Sequence, residues 1–161
     1  MRNHKKSVNK YTILKPDNVY HSTLVSKLVN HLMLDGKKSV AAKLVYHALS
    51  VLAEQAKADP MEYLQTALDN VKPEIEIRSR RVGGANYQVP VPVPPARKES
   101  LAIRWIAKAA SDRPNKTFHT FGDKLAAELM EAHENQGGAM KKKMDVHKMA
   151  EANKAFAHFR W

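Results

Sequence analysis

Cysteine is missing from the 161-residue chain, which excludes a disulfide framework and a thiolate metal site and is compatible with a reducing compartment. Long apolar runs are missing too, and none approaches the ~20 residues that a membrane-spanning helix requires. The amino-terminal stretch is basic but leads into no apolar segment of the kind a secretory signal needs. Helical patterning starts by about Asn18, which leaves little for a cleavable organelle leader. Internal repeats and low-complexity tracts are absent, and the length suits one core rather than two. Acids are scarce: 16 Asp and Glu face 27 Lys and Arg, for a net charge of +11.

Catalytic constellations are equally hard to find. The eight histidines never recur three or four residues apart, so no helix offers a paired imidazole metal site. The segment 36–39, GKKS, superficially resembles a phosphate loop, but His31 stands where the upstream glycine belongs and Lys38 where the hydroxyl should follow Lys37. Its helix start and two lysines could still hold a nucleic-acid phosphate. The acid pairs Glu74/Glu76 and Glu131/Glu134 read as ordinary solvated charges, with no nucleophile beside them. The expectation is a chain without catalytic residues, bound metal or cofactor.

What the chain does have is positive charge in three places. Residues 1–10 carry four Lys/Arg and no acid, residues 72–108 eight against three, and residues 137–161 six against two; together they hold +13, leaving −2 for the rest. Clustering of this kind is the footprint of a surface that displaces counterions from a phosphate backbone. The bland alternative is a solvated lysine surface kept for solubility.

Most of the chain is patterned for helices. Leu24, Val25, Leu28, Val29, Leu32 and Met33 repeat at helical spacing until Asp35 and Gly36 interrupt them. A second helix is predicted from about Lys37, with Val40, Leu44, Ala48, Leu52 and Ala56 on one face. Asp59 is placed to cap a third, with Pro60 in its first turn and Glu62 closing a capping box; Leu64, Ala67, Leu68 and Val71 form its inner face, and Pro73 ends it. A fourth helix follows Pro95 and turns Leu101, Ala102, Trp105, Ile106 and Ala109 inward until residues 112–115 stop it. A fifth, from Thr117 or Thr120, uses Phe121, Leu125, Leu129 and Ala132, and Gly137 and Gly138 separate it from a sixth. In that last helix Met140 and Met144 are one turn apart, which predicts core packing, while Lys141, Lys142 and Lys143 fan over the remaining surface.

Residues 74–93 break the helical pattern. Ile75 and Ile77 alternate with Glu74, Glu76, Arg78 and Arg80; Tyr87, Val89, Val91 and Val93 alternate with Asn86, Gln88, Pro90 and Pro92; and Gly83 and Gly84 sit between the two runs. This is a β-hairpin whose turn needs positive φ. Pro90, Pro92 and Pro94, at every second position, deny N–H donors to one edge, so the element is a two-stranded ribbon rather than part of a larger sheet. Such a ribbon is marginal alone and must rest its base on helices. With Arg78, Arg80 and Arg81 near its tip, a polyanionic partner is expected. At the carboxyl end Lys154, Phe156, His158, Phe159, Arg160 and Trp161 interleave cations with rings, a composition suited to base stacking, although Phe156 and Phe159 could equally dock the last turn.

Four strings now coincide with one family. Residues 33–39 (MLDGKKS), 67–73 (ALDNVKP), 79–91 (SRRVGGANYQVPV) and 145–161 (DVHKMAEANKAFAHFRW) closely resemble bacterial-type small-subunit ribosomal protein seven, in order from near residue 17 to the last residue. The resemblance implies a mainly α fold, here a single domain over 18–161 of about six helices with one protruding antiparallel hairpin at 74–93, behind a basic extended arm at 1–17. It also implies a protein of the cytoplasmic ribosome that binds small-subunit ribosomal RNA, nucleates assembly of the subunit head and lies near the messenger exit path and exit-site transfer RNA. Small-subunit proteins nine and eleven are the implied neighbours. By position, Arg2, Lys5, Lys6 and Lys10 of the arm, Lys37 and Lys38, Arg78, Arg80 and Arg81, and Arg97, Arg104 and Lys108 of the fourth helix would touch ribosomal RNA. Val82, Gly83, Gly84, Ala85 and Asn86 at the hairpin tip, with Lys142, Lys143, His147 and Lys148, would approach transfer RNA or messenger.

The chain departs from the family in three ways. Its arm is lysine-rich and contains a histidine where arginines often cluster; Pro92, Pro94 and Pro95 should stiffen the stem and leave fewer cross-strand hydrogen bonds near its base; and the stretch 112–121 is longer than usual. The runner-up function is a translational repressor that binds its own messenger through the same surface, a secondary role in this family. An architectural DNA-binding protein suits the charge but not the matched strings.

Overall fold

Caps and breakers decide where each helix begins and ends. The computed structural model describes residues 14–159. In chain order these form α1 (Thr23–Leu32), α2 (Lys38–Ala56), α3 (Pro60–Val71), β1 (Ile75–Val82), β2 (Ala85–Pro92), α4 (Pro95–Asp112), α5 (Phe121–His133), α6 (Gly137–Ala152) and a 3-10 turn, Lys154–Phe159. Ser22 caps α1 through the N–H of Leu24, and Asp59 caps α3 through the N–H of Met61. The reciprocal capping box expected at Glu62 is built at α5 instead, where Thr120 Oγ1 accepts from the N–H of Asp123 and Asp123 accepts from that of Thr120. Of the arm, Arg2, Lys5, Lys6 and Lys10 lie outside the described residues, as do Arg160 and Trp161.

Helix α5 is the centre of the bundle, packing against α2, α3, α4 and α6. Its Leu125, Ala126, Leu129 and Ala132 join Val25, Leu28, Leu49, Leu52, Leu64, Leu68, Ile103 and Ile106 in one core. Gly122 permits the approach of α2: a Cβ there would lie 2.5 Å from the His47 ring and 3.2 Å from the carbonyl oxygen of Leu44. Three of the helical faces differ from their predicted ones. In α4 Ile103 and Ala110 are buried beside Leu101, Ala102 and Ile106, while Trp105 and Ala109 are only partly so. In α2 the buried row is Ala41, Val45, Ala48, Leu49 and Leu52, and Val40 is 53% exposed; neighbours on two sides, α1 and α5, rotate the buried arc away from the single stripe that periodicity suggests. In α6 Met140 is buried but Met144 is 57% exposed, because this helix crosses the bundle edge and buries only Ala139, Met140 and Ala150. Gly137 and Gly138 also open α6 rather than preceding it.

The linker between α4 and α5 is held by charge. Arg113 bonds Glu128 through Nε (3.0 Å) and Nη2 (2.7 Å) and reaches Glu131 at 2.5 Å, while Lys124 Nζ donates to the Arg113 carbonyl and to Asn115 Oδ1, both at 2.6 Å. The other oxygen of Glu128 accepts the N–H of Ala139 (2.8 Å), so a carboxylate on the central helix caps α6. Glu131 is therefore an ion-pair member, although its side chain stays 43% exposed.

The ribbon pairs Ile75 with Pro92 through to Val82 with Ala85. Both turn residues have positive φ, +57° at Gly83 and +91° at Gly84, as a type I′ turn demands, and neither has a neighbour that a Cβ would meet. The N–H of Val93 donates to the carbonyl of Glu74 (2.9 Å). That bond sets the parity of the antiparallel ladder, placing Pro90 and Pro92 at positions whose N–H would point away from the partner strand. The prolines thus cost no ladder bond, contrary to the expectation of a depleted stem. Pro94 and Pro95 lie beyond the strand, at the N-cap and first turn of α4.

Candidate nucleic-acid interface

The ribbon base is packed and its tip is bare. Val89 and Val93 are buried and Gly83, Gly84, Ala85 and Asn86 are exposed, with Val82 half-buried. Tyr87 supports the middle by meeting the rings of Phe156 and Phe159 at 5.3 and 5.1 Å, so of the two readings of these phenylalanines the structure favours docking of the last turn. His147 accepts the N–H of Glu74 through Nε2 (3.2 Å), tying the first residue before β1 to α6.

The cations Arg78 and Arg97 meet at a buried acid. Glu76 is 7% exposed, and its carboxylate accepts from Arg78 Nε (2.6 Å) on one oxygen, with Arg78 Nη2 ion-paired to that oxygen at 2.6 Å, and from Arg97 Nε (2.6 Å) on the other. Burial pushes this carboxyl up, but the hydrogen bonds from Arg97 and Arg78 outweigh burial and hold it below the usual carboxylate range. The alternation predicted Glu76 outward and Ile75 inward; Ile75 is 39% exposed and Glu76 is the buried one. The face that carries Glu76 is the one turned inward at the first residues of β1, and strand periodicity alone ranks Ile75 above a carboxylate for that place. The available signal was Glu76 and Arg78 two residues apart on one face, with a third charge in the next helix.

The remaining predicted residues fall into four groups. Arg81 is exposed beside the tip, with Arg80 half-buried next to it. Lys37 and Lys38 are exposed at the start of α2, where no side chain caps the helix. Arg104 and Lys108 are exposed one turn apart on α4, and Lys108 shares with Lys142 of α6 a cleft of about 440 Å³ that also contains Trp105. Burial, then the charge of Arg104, lowers the pKa of His31, which leaves that ring uncharged near neutral pH. On α6 Lys142 and Lys148 face solvent, whereas Lys143 donates to the carbonyl of Asn70 (2.5 Å) and is engaged within the fold. No helix among the described residues is long and apolar enough to cross a membrane.

Fold and site together define a basic, mainly helical protein that displays cations along a projecting ribbon and the helices beside it. The family described as ribosomal protein S7p/S5e matches residues 2–154, and the chain belongs to it. The chain is similar to the small ribosomal subunit protein uS7 of Thermosipho africanus, 53% identical over the full length of both. It is 56% identical to that of Heliobacterium modesticaldum over 91% of this chain and 92% of the relative. For Caldicellulosiruptor bescii the identity is 54% over 96% of each. This is a family of structural proteins of the small ribosomal subunit, which is not an enzyme class.

Proposed function

We propose that the chain is a primary binder of small-subunit ribosomal RNA, that it nucleates assembly of the subunit head in the cytoplasmic ribosome, and that it lies near the messenger exit path and exit-site transfer RNA. Family membership supplies the class. The observation that carries the RNA reading is the ribbon: a packed base, a bare tip at 83–86, and Arg78, Arg80, Arg81 and Arg97 gathered along it. An isolated ribbon of two strands is marginal, and a bare tip with Arg80 and Arg81 beside it is suited to becoming ordered against polyanionic RNA. Lys37, Lys38, Arg104 and Lys108 extend the RNA set; the tip, Lys142 and Lys148 form the set nearest transfer RNA or messenger. Lys143 and His147 contribute to that second set by holding α6 against α3 and the ribbon. Small-subunit proteins nine and eleven are the proposed neighbours.

The test is binding of the full chain to a folded small-subunit RNA fragment, with duplex DNA as competitor. Replacing Arg80→Glu and Arg81→Glu together weakens RNA binding by at least about a hundredfold while the helical circular dichroism stays unchanged. Equal affinity for duplex DNA, or loss of the helical signal in the variant, sinks the assignment of these residues to RNA.

A further inference from the structure

Resting on that RNA-binding reading, we propose that Arg78 and Arg97, bridged by the buried carboxylate of Glu76, form a preset phosphate site at the base of the ribbon, with Glu76 as its positioning residue. An acid here is costly in two ways. It opposes phosphate in the most basic internal stretch of the chain, and its burial removes it from water. Its contacts show what it supplies in return. Glu76 consumes the Nε hydrogens of Arg97 and Arg78 and holds Arg78 Nη2 in an ion pair, leaving the Nη1 groups of both forks and Nη2 of Arg97 unspent on the carboxylate. The carboxylate is shielded while the Arg78 and Arg97 side chains remain 48% and 47% exposed. The donors therefore reach solvent from an anchored root.

Two guanidinium groups brought this close repel each other, and the carboxylate between them cancels that repulsion while leaving the trio at one positive charge. A bridging phosphate oxygen pair neutralises the remainder. Arginine ordinarily surrenders rotamer freedom when it clamps a phosphate; here much of that ordering precedes binding. The surroundings reinforce the sign. Arg97 lies in the first turn of α4, whose N-terminus has no side-chain cap and so contributes its own positive potential. The nearest acid on that helix, Glu99, is paired with Lys27 of α1 at 2.7 Å.

A purely structural strut between β1 and α4 would use the same contacts, so the experiment must separate the two. The full chain, Glu76→Gln, and the charge-conserving pair Arg78→Lys with Arg97→Lys are titrated with a folded small-subunit RNA fragment at several salt concentrations, and phosphate contacts are mapped by ethylation interference. Glu76→Gln makes the chain more positive, so a simple field effect tightens binding; loss of the preset fork weakens it about tenfold. The double lysine variant weakens binding to a similar extent with a salt slope smaller by about one phosphate, and it loses interference at one local phosphate while the rest of the footprint survives. That local loss is a readout a strut would not move. Glu76→Gln binding as tightly as the wild-type chain, or an intact interference pattern in the lysine variant, overturns the proposal. If Glu76→Gln fails to fold, the lysine variant decides alone. Failure of the wild-type chain to bind the fragment overturns the RNA reading itself and is distinguishable from both.

Discussion

At the scale of single residues, carboxylates that collect several donors organise this chain. Asp17, the last residue of the stretch 1–17, is an example: it accepts the N–H groups of Val19 (3.0 Å) and Tyr20 (3.2 Å) and the hydroxyl of Tyr46 (2.6 Å). Burial raises its pKa, but those hydrogen bonds prevail and leave it below its ordinary 3.8, while the same contact pushes the Tyr46 hydroxyl up to about 12. A carboxyl whose folded pKa is depressed contributes stability above its unfolded pKa and loses it as pH falls through the folded one. Asp17→Asn is therefore expected to cost about 1 kcal/mol at neutral pH, and the gap from the wild-type chain should close on acidification below about pH 3.8. Urea midpoints measured across that range check it; a gap that stays constant into strong acid would show that the charge of Asp17 contributes nothing. Neither this cluster nor the Glu76 fork follows from local sequence, since Tyr46 lies 29 residues from Asp17 and Arg97 lies 21 from Glu76.

At the scale of elements, α5 is where local and tertiary requirements meet. Its capping box is written in Thr120 and Asp123, and its apolar repeat in Phe121, Leu125 and Leu129. Its central position is not written there, because Lys124 and Glu128 make it look like a surface helix until Arg113 and Asn115 fold over it. Gly122 marks the tightest approach. Alanine raises intrinsic helix propensity, yet here the added methyl must displace the His47 ring, which bonds Asp123 at 2.8 Å. Gly122→Ala should destabilise the fold by about 1–3 kcal/mol, read as a lower urea midpoint with an unchanged slope. A gain in stability would mean that α2 and α5 separate easily at that point. The ribbon shows the reverse balance: its turn, register and isolation from any larger sheet were legible in Gly83, Gly84 and the alternate prolines, because dihedral and donor constraints act locally.

For the whole molecule, the distribution of charge matters more than its total. The segments 72–108 and 137–161 are far apart in sequence, yet Lys108 and Lys142 share one cleft and His147 carries the ribbon base. A chain whose basic segments neutralise ~6–10 phosphates should lose about three to five decades of affinity for ribosomal RNA between ~50 and 200 mM salt. Filter binding across that range measures the slope. A slope near zero would mean that the positive segments serve solubility and not binding.

The run of six helices, the Asp59 cap of α3, the hairpin with its turn, and the three basic segments were determined by the sequence alone, since each depends on residues close together in the chain. Family membership was legible too, in long strings around the turn and at the carboxyl end. Only the tertiary structure decided which faces of α2 and α6 are buried and that Glu76 and Glu128 are interior. It likewise decided that cations such as Lys27, Arg78, Arg97, Arg113, Lys124 and Lys143 are engaged by partners inside the chain. The reason is physical. Periodicity reports a single neighbour per element, whereas burial of a charge depends on a partner brought from elsewhere in the fold, and no local pattern encodes that meeting.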